Sequence, residues 1–157
     1  MPLAGRVAWR YGQPVAVPES LKGRGNCTLA RLFPSPQKLA RARFNDIGLT
    51  RGRADTIRRL ARVVVNGDLD FDTSQDPADF RERLMSISGI GDWTAQYVAM
   101  RALKNPDAFP ASDLGLLKAM GAKLSGARSL RQRAESWRPW RAYAALLLWG
   151  SLPGSGG

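Results

Sequence analysis

A lone aspartate, Asp113, follows Ser112 and the rigid Pro110 at what reads as a helix start. One aspartate there ordinarily serves as an N-cap or as a partner for the helix dipole. Beside a basic groove and an aromatic slot it could do other work, stabilising a cationic sugar or orienting water as a base departs. The aromatic candidates lie upstream, in Leu84-Met-Ser-Ile-Ser-Gly-Ile-Gly-Asp-Trp-Thr-Ala-Gln-Tyr97. Trp93 and Tyr97 are spaced to share one helix face. They form either a core aromatic pair or a stacking wall for a nucleobase, an interaction that strengthens when the base is cationic. Trp149 offers a second wall from the last helix, whereas Trp137 and Trp140, flanking Arg138-Pro139, read as packing at a helix entry.

The same segment carries Gly89-Ile90-Gly91 between an apolar helix end and a new helix opening at Asp92 or Trp93. Glycines there allow positive φ and let another backbone approach without a Cβ in the way. The amides that open the second helix lack intrahelical partners and carry the positive end of its dipole, which makes an anion site. Such a turn is either a plain tight turn or a grip on a nucleic-acid phosphate that reads backbone rather than sequence. On the second reading Ser88, Gly89, Ile90, Gly91, Asp92 and Thr94 are the expected DNA contacts. The carbonyls of Met85, Ile87 and Ile90 could also converge on a monovalent cation bridging to phosphate.

Charge favours the polyanion. The formal net charge is +11, and residues 1–66 hold 13 Lys and Arg against 3 acids, while 67–157 hold 11 against 10. The basic N-terminal half is therefore the expected DNA face. Cys27 is the single cysteine and there is no histidine. That removes intramolecular disulfides, four-thiolate clusters, Cys/His zinc sites and histidine as a general base. Catalysis must rest on Asp, Glu, Lys or Tyr; no cofactor is expected, and Cys27 reads as a passive thiol. The longest apolar run, Ala144 to Trp149, is too short to span a bilayer. With no signal-peptide core at the N-terminus, a cytoplasmic location without membrane contact is expected.

The elements that must position these residues are helical. Caps and apolar periodicity predict an all-α fold with one domain over 1–152. Residues 1–12 read as the end of a helix, and 13–33 as an irregular Gly/Pro-rich connection. Ser35-Pro36 starts a short helix to about Arg43. Thr50 caps a longer one ending near Asn66-Gly67. The aspartates from Asp68 to Asp79 read as a solvated loop rather than a calcium site, lacking the glycine and terminal glutamate of an EF-hand. Asp76-Pro77 starts a helix through Ser86, and 84–103 form the helix-hairpin-helix. Ser112 or Asp113, then Ser129, then Arg138-Pro139 open the remaining helices, and 153–157 read as a flexible tail.

Three stretches together resemble the AlkA-type helix-hairpin-helix DNA glycosylases, the 3-methyladenine DNA glycosylases II. They are LMSISGIGDWTAQYVAMRAL, DAFPASDLGLLKAM and AESWRPWRAYAALLLW, and the likeness runs from about Phe33 to Leu152. It implies excision of alkylated purines of the 3-methyladenine or 7-methylguanine type from double-stranded DNA after base flipping, by a monomer in base excision repair. By this resemblance Asp113 is the essential aspartate, and Trp93, Tyr97, Leu114 and Trp149 line the base pocket. In bifunctional relatives a nucleophilic lysine stands where this chain has Trp93, which implies a monofunctional hydrolase without lyase chemistry.

The chain departs from the family pattern in three places. Ser88 replaces the usual hairpin proline, Leu114 replaces an aromatic residue, and the family's N-terminal β-rich domain and Gly-Gln-Gln-like helix have no counterpart. An apparent N-terminal truncation is therefore expected. It leaves two competing readings, a weak or inactive DNA-binding remnant and one domain of a larger alkylation-response protein.

Overall fold

Side-chain caps written in the sequence open four of the helices among the described residues. The structure, a computed structural model, describes residues 2–16, 31–72, 74–121 and 126–152. Cys27, most of the 13–33 connection and the 153–157 tail lie outside the described residues. Among those described, the elements are α1 (Leu3–Tyr11), α2 (Pro36–Arg41), α3 (Arg51–Val65), α4 (Pro77–Met85), α5 (Asp92–Arg101), α6 (Leu114–Ala119), α7 (Ala127–Ala134) and α8 (Arg141–Gly150). A 3-10 turn, Glu135–Trp137, precedes α8. The all-helical expectation holds: apart from an isolated bridge between Pro14 and Arg31, no strand occurs among the described residues.

Ser35 Oγ accepts from the Lys38 amide at 3.4 Å and Thr50 Oγ1 from Arg53 at 3.4 Å. Asp76 Oδ1 accepts from Ala78 and Asp79 at 2.7 and 3.1 Å, which occupies one aspartate of the 68–79 loop as a cap. Other boundaries differ from expectation. α2 stops at Arg41 because Ala42 turns extended, with ψ 139. α5 ends at Arg101, short of Leu103. Ser129 is no cap but lies inside α7, which opens earlier because Gly126 takes φ +100, a conformation glycine adopts without steric penalty. α8 begins at Arg141, since Arg138, preceding a proline, is extended with ψ 143.

The described chain forms two compact units, residues 1–70 with 87–89, and residues 71–86 with 90–157. In the first, Val7, Ala42, Phe44, Ile47 and Ala54 make the core, with Tyr11, Leu39, Leu49 and Ile57 packed against them. In the second, Phe109, Ala111, Leu116, Leu130, Ala134 and Ala145 form one cluster, and Ala99, Met100, Ala108 and Ala142 another. Trp149 packs against both clusters. Alanines on α5 and α8 keep these helices narrow where other elements approach, so the indole of Trp149 fits among them.

Candidate active site

The loop before α6 is fixed from two sides within the second unit. The Phe109 amide donates to Gln96 Oε1 on α5 at 3.1 Å, and the Ala142 amide on α8 donates to the Pro106 carbonyl at 2.8 Å. Arg141 forks onto Asp107, with Nε to Oδ1 at 2.7 Å and a terminal nitrogen to Oδ2 at 2.8 Å. Arg138 joins the same carboxylate and also bonds Glu135 at 2.7 Å. Such paired arginine–carboxylate bonds are directional as well as attractive, so they set the loop's angle. The Asp113 amide closes a turn onto the Pro110 carbonyl at 2.9 Å, and α6 follows.

Asp113 is the N-cap of α6: its Oδ1 accepts from the Leu116 amide at 2.9 Å. The same oxygen accepts from Trp149 Nε1 at 2.8 Å, and Oδ2 accepts from Trp93 Nε1 at 2.8 Å. The two sequence readings of this aspartate, cap and site carboxylate, are thus compatible in one geometry. Burial pushes its pKa up. Hydrogen bonds from Trp149, the Leu116 amide, Trp93 and the Gly115 amide outweigh that, and hold the carboxyl below the usual carboxylate range. A carboxylate so held is a weak base and a persistent negative charge.

Trp93 and Tyr97 stack with centroids 5.4 Å apart and planes 11° from parallel, and Tyr97 meets Trp149 at 6.1 Å and 59°. Tyr97 packs against the Ala99–Ala142 cluster, while Trp93 keeps 41% of its surface exposed. The pair therefore joins core on one side to solvent on the other. Trp149 is less a free wall than a clamp, since its N–H is committed to the carboxylate. Leu114 opens α6 and is 81% exposed. Trp137 packs edge-on to Phe109 at 5.8 Å, as a helix-entry residue should, whereas Trp140 remains 58% exposed beside Tyr143.

The hairpin glycines have different roles. Gly89 has φ +97, and a Cβ there would lie 1.9 Å from Thr56 Oγ1. Within the first unit Thr56 Oγ1 donates to the Ser88 carbonyl at 3.2 Å and Arg59 donates to it at 3.4 Å. Gly91, by contrast, is extended at φ −100 and makes no use of glycine's freedom to take positive φ; a Cβ at Gly91 would meet nothing within 4 Å. Gly91 is the N-cap of α5 and offers no side chain to the amides of Asp92, Trp93 and Thr94. The Asp92 carboxylate is held by Arg81, whose Nε and terminal nitrogen reach Oδ1 at 3.0 and 2.8 Å, and by Arg131 at 3.2 Å to Oδ2. Asp92 thus has its backbone amide, not its side chain, to give to an anion. Met85 ends α4, and Ile87 and Ile90 are buried in the turn.

No family model matches the chain. A Mycobacterium tuberculosis protein named "probable bifunctional transcriptional activator/DNA repair enzyme AlkA" is 38% identical over 153 residues, 95% of this chain and 29% of that protein. The DNA-3-methyladenine glycosylase 2 of Escherichia coli is 33% identical over 151 residues, 94% of this chain and 49% of that enzyme. The solved 3-methyladenine DNA-glycosylase of Archaeoglobus fulgidus superposes with a TM-score of 0.75 at 26% identity, over 94% of this chain and 50% of that one. Over nearly its whole length the chain is thus similar to proteins named as AlkA and as 3-methyladenine DNA glycosylases. It spans about half, or less, of the length of these relatives.

Residue types alone missed three supports of this arrangement. Gly115 is one: a Cβ there would lie 2.9 Å from Asp113 Oδ1 and 3.2 Å from Trp149 Cδ1, so its absence lets the indole reach the carboxylate. A glycine just inside a helix, where it costs stability, was the available signal. Thr56 under the hairpin and Arg81 beside Asp92 gave no signal, since each acts on a residue distant in sequence.

Proposed function

We propose that this chain is the catalytic part of a monofunctional DNA glycosylase that removes alkylated purines, of the 3-methyladenine or 7-methylguanine type, from double-stranded DNA. The observation that carries this reading is the Asp113 carboxylate, held anionic by two indole N–H groups beside the Trp93–Tyr97 stack. A flipped cationic purine lies against exposed ring surface of Trp93, with Leu114 and Trp149 bordering it. The bond between C1′ and the base nitrogen breaks, and its electron pair leaves with the base, which departs neutral. Asp113 offsets the positive charge that develops on the sugar. Water adds to C1′, gives up a proton, and an abasic site remains. The lowered pKa favours charge stabilisation over proton abstraction as the aspartate's main task.

The hairpin and the amides opening α5 hold the DNA backbone, with Ser88, Gly89, Ile90, Gly91, Asp92 and Thr94 as contacts and a monovalent cation at the Met85, Ile87 and Ile90 carbonyls. The protein acts as a monomer in the cytoplasm. Among the described residues no helix is long and apolar enough to cross a membrane. Because the indole of Trp93 cannot form a Schiff base, borohydride should trap no covalent adduct between the protein and DNA carrying an alkylated purine. An efficient trap would overturn the monofunctional assignment.

A further inference from the structure

The first unit holds two adjoining grooves, of about 700 and about 620 Å³, that share Arg41, Ala42, Arg43 and Asn45 as lining. Arg10 and Lys38 line the first, and Arg58 and Arg62 the second. Asp46 is the carboxylate among the lining residues, and Asp55 pairs with Arg58, which leaves Arg10, Lys38, Arg41, Arg43 and Arg62 as the cations of the grooves. Cations can gather this closely because three helices end there. Arg10 lies in the last turn of α1, Lys38 and Arg41 in that of α2, and Arg62 in that of α3. The partial negative charge at each helix C-terminus offsets part of their mutual repulsion.

The loop that carries Arg43 is held rigidly. The Phe44 amide donates to the Tyr11 hydroxyl at 2.8 Å, and Arg58 donates to the Ala42 carbonyl at 3.0 Å. Phe44, 3% exposed, locks edge-on against Tyr11 at 5.4 Å. Arg41 and Arg43 thus project from a fixed backbone, which lowers the ordering cost of binding.

We infer that this pair of grooves in the first unit is a second DNA-backbone site, a track for the phosphates of a duplex strand, built from residues other than those of the hairpin. Several cations lining two adjoining grooves, with Arg41 and Arg43 common to both, suit a chain of phosphates better than a single small anion. Guanidinium groups match phosphate oxygens in pairs. The inference rests on the reading that the substrate is double-stranded DNA.

The test is fluorescence anisotropy across a salt series with an undamaged DNA duplex and, in a parallel arm, a single-stranded RNA, for the full chain and for Arg41→Gln/Arg43→Gln. Each lost phosphate contact removes about 0.9 from the slope of log K against log salt, so the double variant should lose roughly 1.8. That corresponds to roughly 60-fold weaker binding at 0.1 M salt if the two proteins converge at 1 M. Lys104→Gln/Arg128→Gln, which removes the same charge from the second unit, should keep the original slope. Equal slopes for the groove variant and the unaltered chain would overturn the track and leave the glycosylase reading standing. Equal losses in both variants would also overturn it, since net charge alone would then explain the effect. A loss confined to single-stranded RNA would reassign the groove away from duplex DNA. Failure of the unaltered chain to bind any duplex would overturn both readings.

Discussion

Trp149→Phe separates the electrostatic part of the site from its packing. The benzyl ring keeps most of the apolar contact with the Ala99–Ala142 and Phe109–Ala145 clusters, but the bond from Nε1 to Asp113 Oδ1, 2.8 Å long, is lost. A hydrogen bond to a charged group contributes about 1.5–3 kcal/mol. Asp113 retains solvent contact, so the low end applies, about 1.5 kcal/mol, and the loss moves the carboxyl's pKa upward. The sign follows from the direction of the native shift. A carboxyl whose folded pKa lies below its unfolded value stabilises the fold above the unfolded pKa, and that contribution disappears as pH falls through the folded pKa. Raising the folded pKa brings acid loss of both charge and stability to higher pH. The assay is a carbon-13 titration of the Asp113 carboxyl, assigned with Asp113→Asn, alongside circular dichroism to confirm the fold. An unchanged midpoint in a folded Trp149→Phe protein would refute the claim that the indole holds the carboxylate anionic.

Gly89→Ala should lower stability by on the order of 3 kcal/mol, combining positive-φ strain with overlap onto Thr56. Thermal melting should show a drop of roughly 10 °C, with partial recovery when Thr56→Ala is added; a melt unchanged from the parent would contradict the turn geometry. Asp92→Asn breaks partly exposed pairs with Arg81 and Arg131, and should cost no more than about 1 kcal/mol per pair. Its affinity for duplex DNA should rise, because a negative charge leaves the phosphate end of α5. A fall in affinity would give the Asp92 carboxylate a direct binding role.

Local chemistry made much of this legible. Ser35, Thr50, Asp76 and Asp113 cap the helices they were expected to cap, because a cap needs only its own side chain and the next turn. Ser129 misled because an equally local alternative, glycine at 126, opened α7 first. Gly89 and Gly91 look identical in sequence, yet only contact with Thr56 and a left-handed φ distinguish Gly89. The site's main feature, two indoles converging on one carboxylate, depends on α5 and α8 meeting the start of α6. No spacing rule reports that meeting, so Trp149 read as a wall rather than a clamp, and Gly115 drew no notice. The arginines of Trp137-Arg138-Pro139-Trp140-Arg141 marked the family by resemblance, but their grip on Asp107 appears once the 104–113 loop is folded.

On the proposed mechanism, the charge on Asp113 drives base loss. Free base released from methylated duplex DNA, measured by chromatography under single-turnover conditions, tests it directly by comparing the parent chain with Asp113→Asn. Asparagine is as good an N-cap as aspartate, so the fold of α6 should persist while the charge is gone. The expected result is release of methylated purine by the parent chain and a loss of at least about 100-fold in Asp113→Asn. Equal release by the two proteins, or none above the variant's background from the folded parent, would contradict it.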